Sequence, residues 1–365
     1  MGLRVVLLDN LDINAPVVEG APPDLWSELD SVSTFEAIAQ ALREGGHTVI
    51  PMEGTLANLA RLPRYRPDIV FNLCEGHFGE SREAQVPAIL EMLRIPYVGA
   101  KPLAHAVGLD KPMCKRVLLG CGLPTPPFQE FRRPDEPLRP ELAEEFPLFV
   151  KPAREGTGMG ISHQSIVQDE QSLRARVEWL IRTYRQPALV EKFIDGRDLT
   201  VGMIGNDDDL HVFPIMEVDL SPLPEDQRLL YGGVVKKKLY RVPRYLIPAP
   251  LAEETTAEVK RLAVAAYRAI GGLDMSRVDF RLDRQGKPWI LEINTIPGLM
   301  PVDSDLVMVA EADGISHTEL INRILEAACR RYGLTAARQP RRQAPRPSPQ
   351  RKEPLVLSPS AAEGT

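Results

Sequence analysis

The first hundred residues alternate short apolar runs with stretches of helical periodicity. RVVLL, HTVIPM and DIVFNL are predicted strands, because each is a short apolar block bounded by polar residues. Between the first two, apolar residues recur at helical spacing from Phe35 to Leu42, and Gly45-Gly46 end that helix. A second helix, AQVPAILEMLRI, precedes the short strand PYVGA. This alternation predicts a parallel sheet covered by helices, a Rossmann-like α/β unit.

The pattern becomes antiparallel in style after about residue 145. Strands such as ALVEKFI and the pair GRDLTVGMIGNDDDLHVFPIMEV are joined by glycine-containing turns, and SLRARVEWLIRTY and AEETTAEVKRLAVAAYRAIGG are amphipathic helices. We therefore expect an α/β (α+β) protein with an N-terminal domain over 1–104 and two α+β subdomains over 105–195 and 196–334. The Pro- and Arg-rich tail, 335–365, is predicted to be disordered.

A hairpin over 276–294, SRVDFRLDRQGKPWILEIN, has one ordinary apolar face and one unusual face. If Leu282 pairs with Trp289, Asp279 lies directly opposite Glu292. The residues predicted to form the apolar face are Val278, Phe280, Leu282, Trp289, Leu291 and Ile293.

Two carboxylates facing each other across a strand pair repel, unless a cation lies between them. Asp279, Glu292 and Asn294 supply the oxygen donors that Mg²⁺ prefers, so the hairpin predicts a metal site. A salt bridge between Arg277 and Glu292 is the alternative that this hairpin alone leaves open.

Two further segments have features of a nucleotide site. In FVKPAREGTGMG, Lys151 ends an apolar strand, and the glycines that follow free backbone N–H groups to approach a phosphate. In LVEKFIDGRD, a strand edge runs into Glu191 and later Asp198, which suits an adenine ring and ribose hydroxyls. A flexible hairpin tip and a solvated edge strand, respectively, would look the same.

Composition narrows the function classes. The chain has 365 residues, 44% of them hydrophobic and 26% charged, and no apolar run approaches the roughly 18 residues of a membrane span. A net charge of −6 argues against a nucleic-acid binder, although the tail carries six Lys or Arg and two Glu. Four cysteines without CxxC spacing predict reduced thiols in a cytoplasmic protein.

The order of GLDKPMCK, FPLFVKPAREGTGMGIS, LVEKFIDGRD and SRVDFRLDRQGKPWILEINTIPG resembles the ATP-grasp superfamily, and within it the D-alanine–D-alanine ligases. The resemblance extends from about residue 68 to 330. It implies an ATP-grasp fold, in which two α+β subdomains sandwich ATP behind a Rossmann-like N-terminal domain. It also implies amino-acid substrates, and a homodimer is common among such ligases.

The resemblance implies a role for individual residues. Asp279, Glu292 and Asn294 match the ligands of two Mg²⁺ ions, with Mn²⁺ an alternative. Arg277, the N–H of Gly298 and the loop residue Thr157 match catalytic positions. The residues that match the ATP-binding positions are Lys111, Lys151, Gly156, Gly158, Glu191, Lys192, Ile194, Asp198 and Lys237.

The segments that match the family's amino-acid-binding positions depart from the family pattern. LDNLDINAPV stands where the family has Gly-Gly-x-Ser-x-Glu, and Glu28 and Asp30 are later acidic candidates for that glutamate. Glu75-Gly76 replaces a His-Gly pair and is followed by Glu80, while Ser304 lies between two aspartates near the expected second-substrate site. Glu75, Glu80 and Ser304 are therefore the predicted substrate residues.

These features favour an ATP-dependent carboxylate–amine ligase that works through an acyl phosphate, with D-alanyl-D-alanine as the default product. The altered amino-acid segments keep a second hypothesis open, the same chemistry on other amino acids or on a specialised metabolite. A third is an ATP-binding module without catalysis. A dependence of ATP consumption on both an amine and a carboxylate substrate separates the third hypothesis from the first two.

Overall fold

The apolar runs of the first hundred residues form a parallel sheet, as predicted. The structure is a computed structural model and describes residues 2–224 and 242–334. The strands of this sheet, in the spatial order β2-β1-β3-β4, are β1 (Arg4–Asp9), β2 (Thr48–Glu53), β3 (Ile69–Asn72) and β4 (Tyr97–Val98). The helices of this region are α1 (Val32–Glu44), α2 (Leu56–Leu59), α3 (Leu62–Tyr65) and α4 (Arg82–Leu93).

Burial explains why the first strand reads as a continuous apolar run. The four residues from Val5 to Leu8 are fully buried, because helices cover a parallel sheet on both faces. Helix α1 begins where the Ser31 side chain accepts a hydrogen bond from the Thr34 N–H, and it ends at Gly45. The predicted helix over this segment is confirmed.

The second sheet is antiparallel and small. Its strands, in the order β5-β8-β6-β7, are β5 (Phe128–Phe131), β6 (Leu148–Pro152), β7 (Ile166–Val167) and β8 (Ala188–Lys192). The helices that lead into it or pack on it are α5 (Pro102–Leu109), α6 (Lys111–Gly120), α7 (Pro140–Ala143) and α8 (Glu170–Tyr184). Apolar residues of α8, including Leu173 and Val177, pack against Val150 and Val190 of the sheet.

The third sheet has the order β12-β11-β9-β13-β14, with β10 paired to β9. Its strands are β9 (Gly196–Ile204), β10 (His211–Val212), β11 (Met216–Asp219), β12 (Arg244–Leu246), β13 (Met275–Asp283) and β14 (Pro288–Asn294). The helices of this region are α9 (Glu253–Ile270), α10 (Asp305–Ala312) and α11 (His317–Arg331).

The first and third sheets share one hydrophobic core. Phe35 and Ile38 of α1 belong to the same buried cluster as Leu320 and Ile324 of α11. The packing fixes the N-terminal sheet relative to the hairpin β13–β14. Among the described residues, no helix is both long and apolar enough to cross a membrane.

The β13–β14 hairpin contains a bulge that the periodic pattern did not predict. Asp279 pairs with Glu292 as predicted, but Arg281 pairs with Trp289 and Leu282 with Pro288, so Leu291 is an extra residue. The predicted pairing of Leu282 with Trp289 is therefore wrong.

The bulge also changes which side chains reach the core. Ile290 and Ile293 are buried in the core, whereas Trp289 and Leu291, which were predicted to lie there, do not belong to it. Leu291 instead joins Glu292 at the lining of a cleft. Lys237 and the tail 335–365 lie outside the described residues. The domain boundaries at 104, 195 and 334 stay predictions.

Candidate functional site

A cleft lies between the second and third sheets. The strands β6, β8, β9, β13 and β14 all contribute to it, and the loop after β6 reaches it through Gly158. We call it the inter-sheet cleft, and the residues that define it here are Lys151, Gly158, Glu191, Lys192, Ile194, Asp198, Asp279, Leu291 and Glu292.

A buried ion cluster lies at the inter-sheet cleft. Lys115 Nζ is 2.7 Å from Glu191 Oε2, and Lys151 Nζ is 2.8 Å from Glu191 Oε1. Burial opposes the charge of Glu191, but the two lysines outweigh burial and lower its pKa. Two ammonium groups around one carboxylate give this cluster a net positive charge, which suits a phosphate.

Lys115 is absent from the residues predicted above. It follows Lys111 by four positions on helix α6, so both side chains project from one helix face. The four-residue spacing between Lys111 and Lys115 was the sequence signal that could have identified Lys115. The Lys115 ammonium also donates to Thr125 Oγ1 at 2.6 Å, and Thr125 donates to the Ile290 carbonyl oxygen at 2.8 Å, which ties α6 to strand β14.

Arg281 organises the other end of the inter-sheet cleft. Its Nη1 donates to Asp198 Oδ2 at 2.6 Å, and its Nε donates to the Ile194 carbonyl oxygen at 3.0 Å. The guanidinium carbon lies 5.4 Å from the centroid of the Phe193 ring. Ile194 and Asp198 therefore lie in the cleft as a pair held by Arg281. Lys192 lies there too, with its ammonium 2.5 Å from Glu145 Oε2.

The three predicted metal ligands lie together where β13 meets β14. Asp279 accepts hydrogen bonds from Thr200 Oγ1 at 2.8 Å and from Asn294 Nδ2 at 3.0 Å. Because Asn294 uses its amide N–H₂ on Asp279, its carbonyl oxygen is left to face a cation. Glu292 Oε2 lies 3.4 Å from the Lys111 ammonium.

Arg277 binds the Asp279 carboxylate in a bidentate manner. Its Nε and Nη2 atoms both lie 2.9 Å from Asp279 oxygens, and its Nη1 lies 3.3 Å from Asp305 Oδ2. Burial disfavours the guanidinium charge, but the carboxylates of Asp279 and Asp305 outweigh it and raise the Arg277 pKa. Arg277 is therefore a permanent cation beside the oxygen donors.

The glycine-rich loop approaches these groups closely. The Lys111 ammonium donates to the Glu155 carbonyl oxygen at 2.5 Å. Thr157 and Gly158 have φ values of 47° and 71°, in the left-handed region. A Cβ at Gly156 would lie 2.1 Å from Glu28 Oε1, so a larger residue here would displace the Glu28 carboxylate.

A second cavity adjoins the inter-sheet cleft and shares Glu292 with it. Its wall combines residues of the N-terminal region with the segment that follows β14. We call it the carboxylate cavity, and the residues that define it here are Glu28, Asp30, Glu75, Glu83, Lys111, Gly156, Thr157, Arg277, Glu292, Gly298, Asp303, Ser304 and Asp305.

The predicted substrate residues are separated by the structure. Glu75 and Ser304 line the carboxylate cavity, and the Ser304 hydroxyl accepts a hydrogen bond from the Met300 N–H at 2.9 Å. Glu80 lies in a neighbouring pocket, where its side chain is 79% exposed and 3.0 Å from Arg154 Nη1. The structure therefore brings Glu75 and Ser304 together with Gly298 but not with Glu80.

Arg82 connects the N-terminal segment to the glycine-rich loop. Its guanidinium forms ion pairs with Glu28 and with Glu155, the latter at 3.1 Å, and donates to the Arg154 carbonyl oxygen at 2.8 Å. Burial raises the pKa of Glu155 to about 7. Arg82 was not predicted, because its partners lie 54 and 73 positions away in sequence.

Asp24, in the N-terminal segment, forms hydrogen bonds that hold the glycine-rich loop in place. Its Oδ2 accepts the Gly160 N–H at 3.0 Å, and its carboxylate accepts the Tyr184 hydroxyl at 2.8 and 2.9 Å. Asp24→Ala should release the loop, because both donors lose a charged acceptor, an interaction worth about 1.5–3 kcal/mol. We expect trypsin to cut after Arg154 about tenfold faster, measured by timed proteolysis and mass spectrometry.

Asp208→Ala is the control for this variant, since Asp208 is an exposed aspartate on a distant loop. The control should keep the wild-type cleavage rate after Arg154. Equal rates in Asp24→Ala and wild type would show that Asp24 does not restrain the loop.

Comparison with known proteins identifies similar chains. A family model described as D-ala D-ala ligase C-terminus matches residues 117–326. The uncharacterized protein y4sG of Sinorhizobium fredii is 36% identical over 319 residues, which cover 85% of this chain and 91% of that protein. The D-alanine–D-alanine ligase of Pelotomaculum thermopropionicum is 32% identical over 313 residues, which cover 83% and 93%.

Solved structures agree on the fold. The D-alanine–D-alanine ligase of Bacillus anthracis complexed with ATP superimposes with a TM-score of 0.70 at 22% identity. The match covers 92% of this chain and all of that chain. The fold predicted from the sequence resemblance is confirmed by this match.

Proposed function

The chain belongs to the D-alanine–D-alanine ligase family and has the ATP-grasp fold, and from this premise we propose that it joins two amino acids by an amide bond while ATP is converted to ADP and phosphate. The default product is D-alanyl-D-alanine, a peptidoglycan precursor. One observation carries the proposal. Glu292 lies in both the inter-sheet cleft and the carboxylate cavity, so a nucleotide in one cavity and a carboxylate in the other would meet there.

We assign the inter-sheet cleft to ATP. Lys111, Lys151 and Lys237 are the proposed phosphate-binding lysines, and the backbone of Gly156 and Gly158 adds N–H donors. At the other end, the segment from Glu191 to Ile194 takes the adenine, and Asp198 takes the ribose hydroxyls. Glu191 and Lys192 end β8, which lies between β5 and β6 and is therefore an inner strand, not the edge strand that the sequence suggested. The apolar Leu291 side chain, which the bulge turns into the cleft, suits the face of a base.

The donor set at the sheet fits divalent cations. Asp279, Glu292 and Asn294 offer only oxygen atoms, and Asp279 is held in place by Thr200 and Arg277. These three residues would hold two Mg²⁺ ions, or Mn²⁺, with Glu292 shared. When bound, the ions supply positive charge that the oxygens of the transferring phosphoryl group require.

The chemistry proceeds in two steps. An oxygen of the first substrate's carboxylate attacks the γ-phosphorus, ADP leaves, and an acyl phosphate forms. The amine of the second substrate then attacks the carbonyl carbon, phosphate leaves, and the nitrogen loses its proton. Lys111 and Lys151 neutralise the phosphate oxygens during the first step. Neither step needs a nucleophilic side chain.

Arg277 and the Gly298 N–H are the proposed donors to the oxyanion of the second step, and such a donor typically contributes about 10²–10³ in rate. Water would hydrolyse the acyl phosphate, so the loop that contains Thr157 is proposed to cover it. The hydrogen bond from the Gly160 N–H to Asp24 restrains this loop. Ser304 is the proposed contact for the second substrate's carboxylate.

The decisive experiment measures ADP release from the full chain with ATP, Mg²⁺ and D-alanine, followed by identification of the dipeptide by mass spectrometry. We expect ADP release to require the amino acid, with one dipeptide formed per ADP. ATP binding without amino-acid-dependent turnover would instead support the non-catalytic module. Turnover with other amino acids but not with D-alanine would support the specialised ligase.

We place the reaction in the cytoplasm and expect a homodimer, which sedimentation would test.

A further inference from the structure

The wall of the carboxylate cavity is unusually acidic where the N-terminal region forms it. Glu28, Asp30, Glu75 and Glu83 all line this part of the cavity. Neighbouring carboxylates repel one another unless each is paired with a cation or is protonated. The available counter-charges therefore decide what the cavity can bind.

Most of the available counter-charge is already committed. Arg82 forms ion pairs with Glu28 and Glu155. Glu83 accepts the Thr295 hydroxyl at 3.3 Å and lies 3.7 Å from His105 Nδ1. On the opposite side of the cavity, Arg277 is held by Asp279 and Asp305, and Lys111 by Glu292.

Asp30 lines the cavity without an ion pair to a cation among the described residues. Its carboxyl group adjoins that of Asp9, which is 1% exposed and whose Oδ2 atom has no hydrogen-bond donor among the described residues. Burial raises both pKa values, that of Asp30 to about 6. Asp30 is therefore one carboxylate of the cavity wall for which a ligand could supply the counter-charge.

Glu75 is the acid that remains. It follows strand β3 and is enclosed by protein where it does not line the cavity. No hydrogen bond or ion pair joins its carboxylate to another residue within 2–224 and 242–334. Burial and the neighbouring Glu83 and Glu28 raise its pKa. Glu75 thus has no cationic partner in the free protein, and a ligand could supply one.

A simple amino acid does not balance these charges. Its carboxylate must lie toward Glu292 and Lys111 to be phosphorylated, and its single ammonium can neutralise one of the excess carboxylates. Of Asp30 and Glu75, one carboxylate then still lacks a cationic partner. A second cationic group on the same substrate would supply that partner.

We propose that Glu75 selects a first substrate with a second cationic group, a diamino acid in place of alanine, and that it does so by an ion pair inside the carboxylate cavity. This inference rests on the proposed ligase function. Glu75 is a specificity-determining residue in this proposal, because the reacting atoms lie at the opposite side of the cavity, beside Glu292.

The test compares size-matched amino acids in the ADP-release assay with the full chain, ATP and Mg²⁺. The pairs are 2,3-diaminopropionate with alanine, ornithine with norvaline, and lysine with norleucine, each as both enantiomers and each with and without D-alanine. We expect kcat/KM for the best cationic member to exceed that of its neutral partner by at least about 30-fold, since a desolvated charge without its partner is strongly disfavoured.

Glu75→Gln should lower this cationic-to-neutral ratio by about 30-fold, mainly through a higher KM for the cationic substrate. Glu75→Asp should keep most of the preference, because it keeps the charge. Glu75→Gln should also unfold at a temperature no lower than wild type, since it removes a carboxylate that has no partner in the free protein. Glu36→Gln, which neutralises an exposed acid on α1, should leave the ratio within twofold of wild type.

The outcomes separate this inference from the proposed function. If neutral amino acids drive ADP release as well as cationic ones do, or if Glu75→Gln leaves the ratio unchanged, the inference is overturned and the ligase stands. If neither cationic nor neutral amino acids release ADP, the ligase proposal fails and the inference fails with it.

Discussion

Glu292→Gln is expected to lower kcat for ADP release by at least about 10³-fold. Glu292 is the residue that the two cavities share, and its carboxylate is the proposed bridge between two divalent cations. Glutamine preserves the shape but removes the charge and replaces one acceptor oxygen with a donor N–H₂ group. The transferring phosphoryl group then loses bound cations, whose charge stabilisation contributes several kcal/mol to such reactions.

The measurement is kcat at saturating ATP, combined with a titration of Mg²⁺. The Mg²⁺ concentration for half-maximal activity should rise in the variant, which a purely structural defect would not produce. Glu258→Gln is the control, because Glu258 pairs with Arg261 on the outer face of α9 and touches neither cavity. Full activity of Glu292→Gln at wild-type Mg²⁺ concentrations would disprove the metal assignment.

The register of this hairpin could be predicted in part because strand periodicity is strict. Side chains alternate between faces, so Asp279 and Glu292 could be placed opposite each other from the sequence. The bulge at Leu291 could not, since a bulge changes the pairing partner without changing the local composition. Counting back from the turn therefore placed Leu282 against Trp289, whereas the structure pairs it with Pro288.

The carboxylate cavity was harder to predict than the inter-sheet cleft. The cleft is built from segments whose own residues signal phosphate or metal chemistry, such as Lys151 and Asp279. The cavity depends on contacts between segments far apart in sequence. Arg82 contacts Glu28 and Glu155, which lie 54 and 73 positions away in sequence, and no local pattern encodes these contacts.

Both cavities are lined by more acidic than basic side chains, but their cations are distributed differently. Within the inter-sheet cleft, Lys115 and Lys151 around Glu191 leave a local net positive charge, which suits a phosphate group. Acidic residues dominate the carboxylate cavity, as an ammonium group requires. Glu292 lies at the boundary between them. The arrangement of charged side chains thus favours a substrate with its carboxylate directed toward the nucleotide and its amino groups directed away from it.

Glu191→Gln is expected to lower the free energy of unfolding by about 3–5 kcal/mol, the usual effect of removing one partner from a buried ion pair. The ammonium groups of Lys115 and Lys151 would face each other without the carboxylate that now lies 2.7 and 2.8 Å from them. Lys115 is fully buried, so water cannot replace the lost partner. Urea unfolding followed by circular dichroism measures the change.

Glu130→Gln provides a matched control in the neighbouring strand β5. Glu130 also pairs with two cations, Arg116 and Arg132, but their side chains are 46% and 69% exposed. Its loss should therefore cost about 1 kcal/mol or less. Adding Lys115→Met to Glu191→Gln should recover part of the stability, because an apolar side chain replaces an unpaired ammonium. Equal losses for Glu191→Gln and Glu130→Gln would mean that burial of the lysine partners does not set the cost.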